Sequence, residues 1–345
     1  MRGCIAILLS MDSRVLPLLI IFSIPLSAHA AQSFSDVPQT REEYEAVEDL
    51  KTRGIVEGRP DGKFGPDSRV NRAEAITIVV RAVANVRNLP NINHCFPDVA
   101  GDAWYVQPVC YAFDLDWVSG YPDGTFQPIR TVAKAEFLKI LLNAYGVDTV
   151  AIEEYRDPLA PDVRNPDEWY VPYLSYALAS SMTATDAYGH LNPGASLTRG
   201  QVALMMHRFL LYREGVRTQQ LLTVAEKDIR AVFSHLDAIE VDRAEEDVAR
   251  VRLAIFGAKE RQPDAALLKS TETLAEALHS LVSAYRLTQE GSLEPALAAS
   301  QDAYNLAHSA DDGSDAVRTY TDRVRAYAHD IAEDIRSYRA GVKSE

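Results

Sequence analysis

The strongest constraint on the fold of this chain is an internal repeat in its N-terminal half. Residues 34–58 align without gaps with residues 96–120, and the turns that follow them, centred on Phe64 and Phe126, lie 62 positions apart. Self-similarity at a fixed spacing indicates that one small structural unit is used several times and that neighbouring units complete each other's core. We therefore expect repeated units of about 60 residues that share one hydrophobic centre.

A third copy follows at a longer spacing. Trp169 lies 65 positions after Trp104, and residues 198–201 repeat the start of the last helix of each unit. The opening of this copy, residues 155–157, comes six positions too early, so we expect an insertion within residues 158–166. The three repeats are predicted at residues 31–90, 91–150 and 151–214.

Each of the first two copies contains a tight turn with the sequence Pro-Asp-Gly. Proline fixes φ, aspartate caps the turn through its side chain, and glycine accommodates positive φ at low cost. Gly62 and Gly124 are therefore predicted to be structural. Asp61 and Asp123 are predicted to form the turn first, and contact with a ligand is the second interpretation.

Each unit ends in a helix with one apolar face and a capping motif at its start. Asn71 and Glu74 fit a capping box, as do Thr198 and Gln201, and Glu136 holds the same position in the second copy. One unit, read as helix, turn, short extended piece, turn and helix, has too little core to fold alone. The sequence therefore predicts a mainly α fold in which three units form a pseudo-threefold spindle.

The order of these motifs resembles the S-layer homology (SLH) family. Phe-x-Asp-Val, Gly-x-Pro-Asp-Gly-x-Phe-x-Pro and a basic residue followed by Ala-Glu occur in that order in the first two copies, and the resemblance covers about residues 34–213. The resemblance implies a three-pronged spindle of helix-loop-helix repeats. It also implies binding of cell-wall polysaccharides, often bearing ketal-linked pyruvate, in grooves between adjacent prongs.

The resemblance assigns glycan contacts first to three cationic residues, Arg72, Lys134 and Arg199, which match the family's Thr-Arg-Ala-Glu motif. A guanidinium can grip a carboxylate through two hydrogen bonds, and free backbone N–H groups at a helix start would add a second attraction. Lys134 keeps the charge without the two-pronged geometry, so its groove should bind more weakly. Surface ion pairing is the alternative role for the two arginines.

Two tryptophans, Trp104 and Trp169, stand at matching positions in the second and third copies, where the first copy has Glu42. An aromatic face can stack on a sugar ring and so form the wall of a groove. An anchor packed into the core of the unit is the alternative role for both residues.

Residues 1–30 have the pattern of a secretory signal peptide. Arg14 precedes an apolar run that ends at Ala28-His29-Ala30, a small-x-small cleavage site. An uncleaved anchor is the alternative, and no later segment is predicted to cross a membrane. Cleavage leaves Cys95 and Cys110, fifteen positions apart, and we expect a disulfide between them, with two buried free thiols as the alternative.

Residues 215–345 differ in amino-acid composition from the repeats, because they are rich in Ala, Leu, Glu and Arg. Apolar stripes at helical spacing predict an antiparallel helical bundle, in which Gly257 suits a helix stop. Helices are expected at residues 216–258, 264–289, 294–309 and 314–340.

Charge and motifs limit the function. The net charge of −14 argues against nucleic acid or an anionic membrane surface as the main partner. No sequence motif of a metal site, a nucleotide site or a hydrolase occurs, so we predict no metal, no cofactor and no enzymatic activity. The favoured hypothesis is a secreted protein at the cell wall or cell surface, held to cell-wall polysaccharide by its repeats, with a helical part that is structural or contacts other envelope proteins.

Two alternatives remain at this point. The first is a protein-interaction scaffold whose repeats have lost glycan binding. The second is a wall-anchored enzyme with an unrecognised active site in the helical part. A convergent polar pocket within residues 215–345 would favour the enzyme.

Overall fold

The fold of this chain is built almost entirely from α-helices, which confirms the predicted mainly α class. The predicted signal peptide lies outside the described residues. The computed structural model describes residues 32–84, 88–92, 94–153, 155–262, 266–311 and 315–342.

Within the N-terminal half, the residues that the structure describes form three helix pairs. The second helix of the first and third pairs begins with a capping box, in which Asn71 bonds reciprocally with Glu74 and Thr198 with Gln201. In the second pair an alanine stands at the cap, and only the Glu136 carboxylate bonds back to its backbone N–H, at 3.0 Å. The pairs are α1 (Tyr44–Thr52) with α2 (Arg72–Val83), α3 (Val106–Asp114) with α4 (Lys134–Ala144), and α5 (Val171–Ala179) with α6 (Arg199–Arg213).

Three extended segments, one before the second helix of each pair, meet at the centre of the N-terminal half. The N–H of Val70 donates to the carbonyl of Leu197 at 3.0 Å, that of Val132 to Val70 at 3.0 Å, and that of Leu197 to Val132 at 3.1 Å. All three side chains are buried. The helices follow the same cyclic order, because α3 packs on α2, α5 on α4 and α1 on α6. The three units are therefore related by a pseudo-threefold axis.

An aspartate at the start of each unit binds the turn that precedes its second helix. In every unit its two carboxylate oxygens accept hydrogen bonds from two consecutive backbone N–H groups. The sets are Asp36 with Phe64 and Gly65, Asp98 with Phe126 and Gln127, and Asp162 with Leu191 and Asn192.

Asp162 corrects the expected opening of the third unit. The unit opens at residues 160–163, Ala-Pro-Asp-Val, and not at residues 155–157. Asp162 lies 64 positions after Asp98, against 62 from Asp36 to Asp98, and Trp169 lies 65 positions after Trp104. Two of the three extra residues therefore lie before Asp162, in the connection that follows α4, and only one lies within the expected insertion at residues 158–166. Alanine in place of the phenylalanine of the other copies hid this motif in the sequence.

A disulfide joins Cys95 to Cys110, with a Cα–Cα distance of 5.4 Å. It fixes α3 to the segment that opens the second unit, and Cys110 is fully buried.

The described residues of the C-terminal part form five further helices. The single helix expected at residues 216–258 is two helices, because the chain reverses at Ile239, whose φ is +61°. Gly257, expected to end that helix, lies inside α8. The helices are α7 (Thr218–Asp237), α8 (Val241–Arg261), α9 (Ala266–Gln289), α10 (Leu293–Ala310) and α11 (Asp315–Val342).

Gly257 brings α8 into backbone contact with the third unit. A Cβ atom at this position would lie 1.7 Å from the carbonyl oxygen of Ala179, at the end of α5. The hydroxyl of Tyr212 in α6 donates to the carbonyl of Gly257 at 3.1 Å. Leu253 and Leu268 belong to the same buried core as the repeats. The helical part therefore packs directly on the third unit.

We predict that Gly257→Ala lowers the free energy of unfolding by about 3 kcal/mol, because the added methyl group cannot fit without separating α8 from α5. Chemical denaturation of the full chain measures this effect. Gly341→Ala is the matched control, since Gly341 lies near the end of α11 with open space around its Cβ position. The control should change stability by less than about 1 kcal/mol. Equal stability of the two variants would contradict the close contact.

A buried ionic cluster lies between α7 and α8. His235 Nδ1 lies 2.6 Å from Asp247 Oδ2, and Arg250 pairs with Asp247 and lies 3.7 Å from Asp228 Oδ2. Arg250 also donates to the carbonyl of Leu159 at 2.9 Å, which connects the cluster to the third unit. In this cluster His235 and Arg250 bond to Asp247, while Asp228 lies beyond hydrogen-bond distance of Arg250 Nε. The two bonds to Asp247 fit a structural network.

Burial raises the pKa of Asp228 to about 6, against the attraction of Arg250, from a reference value of 3.8. The folded state therefore binds more protons than the unfolded state between these two values, so stability falls as the pH rises through that window. Above it, the buried Asp228 carboxylate destabilises the fold.

We predict that Asp228→Asn raises the free energy of unfolding at neutral pH by about 1–2 kcal/mol, because Arg250 keeps Asp247 as its partner. The gain should shrink as the pH falls from about 6 towards 3.8. Urea denaturation across this range measures it. Asp330→Asn, at an exposed position of α11, controls for loss of one negative charge. A gain that is independent of pH would contradict the assignment.

Candidate functional site

Arg72 is the first residue of α2, and its side chain reaches into the second unit. Its Nη2 donates to the carbonyl of Ser119 at 2.8 Å, and its guanidinium carbon lies 5.1 Å from the ring centre of Tyr121 and 4.9 Å from that of Phe126. The residue is only 7% exposed, and its Nε has no hydrogen-bond partner within the described part of the chain. Burial lowers the pKa of Arg72, because removing the charged guanidinium from water costs free energy.

Arg199 occupies the equivalent position of α6 and reaches into the first unit. Its Nη2 donates to the carbonyl of Glu57 at 2.6 Å, and its guanidinium lies 4.7 Å from the ring centre of Phe64. The carboxylate of Glu57 pairs with Arg81 at 2.9 Å. Arg199 therefore lies near the Glu57 carboxylate. At the equivalent position beside Arg72 the residue is Ser119, which has no carboxylate.

Lys134 completes the cycle by reaching into the third unit. Its Nζ donates to the carbonyl of Leu191 at 2.5 Å, and Leu191 stands where the other units have phenylalanine. Burial lowers the pKa of Lys134, while the charges of Asp162 and Asp186 act in the opposite direction. This third position is therefore close to two carboxylates.

The backbone N–H groups at the three helix starts are already bonded, so the expectation that they attract an anion is wrong. The N–H groups of Arg72 and Ala73 donate to Arg130 and Pro128 of the next unit, at 2.9 and 3.1 Å. The same two positions of α4 and α6 donate to carbonyls of the unit that follows each of them. Attraction of an anion must come from the side chains.

A groove of about 210 Å³ opens beside Arg72 and is formed by all three units. We call it the Arg72 groove. Its lining includes Arg72 from the first unit, Tyr121 and Lys139 from the second, and Trp169 from the third. Lys139 Nζ lies 5.5 Å from the ring centre of Trp169. The structure thus brings two of the predicted ligand residues, Arg72 and Trp169, into one site.

The Arg72 groove carries an excess of positive charge. Its one lining carboxylate, Glu136, pairs with Arg130 at 2.9 Å and accepts a hydrogen bond from the hydroxyl of Tyr121 at 3.1 Å. Within the described part of the chain, neither Arg72 nor Lys139 makes an ion pair. The site is therefore suited to a negatively charged ligand.

The remaining predicted residues lie in three kinds of place. Trp104 and Trp169 are 64% and 51% exposed, which excludes the alternative of core anchors. Asp61 and Asp123 lie in turns, where their carboxylates accept the N–H of the residue two positions on, at 3.0 and 2.9 Å. Gly62 and Gly124 adopt φ of +77° and +78° in the same turns. Glu42, the counterpart of the tryptophans, pairs with Arg208 of α6 at 2.7 Å.

Sequence reasoning missed Tyr121 and Lys139. Tyr121 stands directly before the Pro-Asp of the second turn, a place where the first unit has Arg59. Lys139 lies five residues after Lys134 on α4, and only the packing of α5 against α4 brings Trp169 over it.

Among the residues that the structure describes, no cluster of three or more His, Cys, Asp or Glu side chains is placed to hold a metal ion. Nor does any helix of the described ranges have the length and hydrophobicity needed to span a membrane.

Known proteins resemble the N-terminal half. The chain is 30% identical over 168 residues to the surface-layer 125 kDa protein of Lysinibacillus sphaericus. The aligned residues make up 48% of this chain and 14% of that protein. It is 26% identical over 184 residues to the cellulosome-anchoring protein of Acetivibrio thermocellus, covering 52% and 39%. A third relative, cell surface glycoprotein 1 of the same organism, is 31% identical over 126 residues, covering 34% and 5%. The chain thus matches less than half of the length of each of these relatives.

The family model described as the S-layer homology domain matches residues 33–76 and 96–138. Each matched segment contains the aspartate that binds the turn, the glycine turn and the cationic start of the second helix. The chain therefore carries S-layer homology domains at residues 33–76 and 96–138.

Proposed function

We propose that this chain is a secreted protein that binds non-covalently to an anionic cell-wall polysaccharide through its repeats. The observation that carries the proposal is Arg72, a buried guanidinium with an unbonded Nε that lines a groove beside an exposed indole. The similarity to surface-layer and cellulosome-anchoring proteins supports a place at the cell surface.

The ligand group that fits the Arg72 groove best is a sugar that carries a carboxylate. Arg72 and Lys139 supply two positive charges that no carboxylate of the described residues pairs with. The exposed face of Trp169 offers an apolar surface to a sugar ring. Ketal-linked pyruvate, which the family resemblance implies, provides the carboxylate.

The three cationic positions are proposed to differ in strength. The Arg72 groove is the main site, because its cations are not neutralised. Arg199 forms a weaker site, since the first unit has Thr77 where the second unit has Lys139, so no second cation lies at the equivalent position. Lys134 contributes little, because Asp162 and Asp186 stand near its ammonium and oppose an anion.

We further propose that residues 151–214 are a third repeat of the same family. Asp162 binds its turn as Asp36 and Asp98 bind theirs, and Leu197 closes the central ring of hydrogen bonds. This unit also supplies Trp169 to the Arg72 groove. Residues 215–345, packed on this unit, are proposed to be a structural or interaction module without enzymatic activity.

We predict that Arg72→Ala weakens binding of the full chain to pyruvylated wall polymer about 10- to 100-fold, because it removes a hydrogen-bonded charge from the groove. Arg199→Ala should weaken binding less. Lys134→Ala is the matched control, since it removes a cation from the same helix position of another unit. Titration calorimetry with polymer released from cell walls measures the three affinities.

Polymer from which the pyruvate has been removed by mild acid should bind wild type as weakly as pyruvylated polymer binds the Arg72→Ala variant. If Arg72→Ala and Lys134→Ala bind equally, the groove is not the binding site. If wild type itself binds neither polymer, the repeats serve as a scaffold without glycan binding.

A further inference from the structure

A second cavity, also of about 210 Å³, adjoins the Arg72 groove at Trp169, which lines both. We call it the Ser175 pocket. Its other walls come from the connection that follows α4, with Glu153 and Tyr155, and from the start of the third unit, with Glu168 and Ser175. One indole therefore separates two neighbouring cavities.

The Ser175 hydroxyl, at the wall of this pocket, makes no hydrogen bond with the described residues. Ser175 is only 1% exposed, and its Oγ has no hydrogen-bond partner among the described residues. A buried hydroxyl without a partner destabilises a protein by about 1–3 kcal/mol, so such groups are rare in native folds. A ligand hydroxyl in the pocket would supply the missing partner.

The charge of the Ser175 pocket is opposite to that of the Arg72 groove. Its one lining cation, Arg156, pairs with Asp167, and Glu168 accepts a hydrogen bond from the uncharged Asn165 side chain at 3.5 Å. The charges of Glu153 and Glu168 therefore make the pocket negative. Carboxylates accept hydrogen bonds from hydroxyl or ammonium groups and repel an anion. The pocket is therefore suited to a neutral or amino sugar and not to a pyruvylated one.

The connection between α4 and Ala160, which forms part of this pocket, differs from the equivalent connection after α2. The stretch from the end of α4 to Ala160 is three residues longer than the stretch from the end of α2 to Phe96. It carries the short 3₁₀ turn Val150–Ile152 and Tyr155, whose ring packs against Phe256 of α8. The helical part thus supports the wall of the pocket.

We propose that the Ser175 pocket is a second carbohydrate subsite, which binds a neutral or amino sugar next to the acidic sugar held in the Arg72 groove. Trp169 lies between the two sugars and contacts both. The proposal rests on the proposed function of the Arg72 groove. Together the two cavities would recognise two consecutive sugars of one polymer, of which one is anionic and the other is not.

The test compares two probes on the full chain by titration calorimetry. One probe is a methyl hexoside bearing a single ketal-linked pyruvate, and the other is a short oligosaccharide of pyruvylated wall polymer. Ser175→Ala should weaken oligosaccharide binding about fivefold while it keeps or raises thermal stability, because the unsatisfied hydroxyl is gone. Glu153→Ala with Glu168→Ala should weaken oligosaccharide binding about tenfold.

Neither change should weaken binding of the monosaccharide. The control is Glu294→Ala with Glu333→Ala, which removes two carboxylates from α10 and α11 and should affect neither probe. The proposal is overturned if the pocket variants bind the oligosaccharide as tightly as wild type, or if they lose affinity for both probes alike. Failure of the proposed function is a different result, in which Arg72→Ala leaves the binding of both probes unchanged.

Discussion

The ring of three hydrogen bonds among Val70, Val132 and Leu197 is the constraint on which the N-terminal half depends. Each residue donates to one unit and accepts from another, so the ring closes only when all three units are present. Because a single unit has too little apolar surface to fold alone, this closure couples the formation of each unit to the others. It also explains how a third unit with weaker sequence similarity keeps its place in the fold.

The same cyclic arrangement determines where the grooves lie. The helix that follows each ring residue starts against the next unit, so the cation at its first position extends over a neighbour's turn and not its own. The Arg72 groove is thus assembled from residues of all three units, and a substitution in one unit alters the surroundings of a residue from another. The Arg72 groove contains a second cation because position 139 is lysine, whereas the equivalent position of the first unit, 77, is threonine.

Local sequence patterns predict the parts of this structure that depend on near neighbours. The capping boxes at Asn71 and Thr198 and the glycine turns follow from residues within four positions of each other. The partners of Arg72 and Lys139 could not be predicted, because they come from other units through packing. The helix break at Ile239 was missed since no glycine or proline marks it, and the bonded N–H groups at the helix starts depend on carbonyls of another unit.

The close approach at Gly257 has a mechanical consequence for the proposed attachment of the chain to a wall. Only four residues separate α6 from α7, and α8 presses its backbone against the end of α5. A force applied to the helical part is therefore transmitted through the contact between α8 and α5 into the unit that carries Trp169. The connection of four residues between α6 and α7 is too short to extend far under that force. Tension on the helical part would therefore reach the walls of the Arg72 groove and the Ser175 pocket.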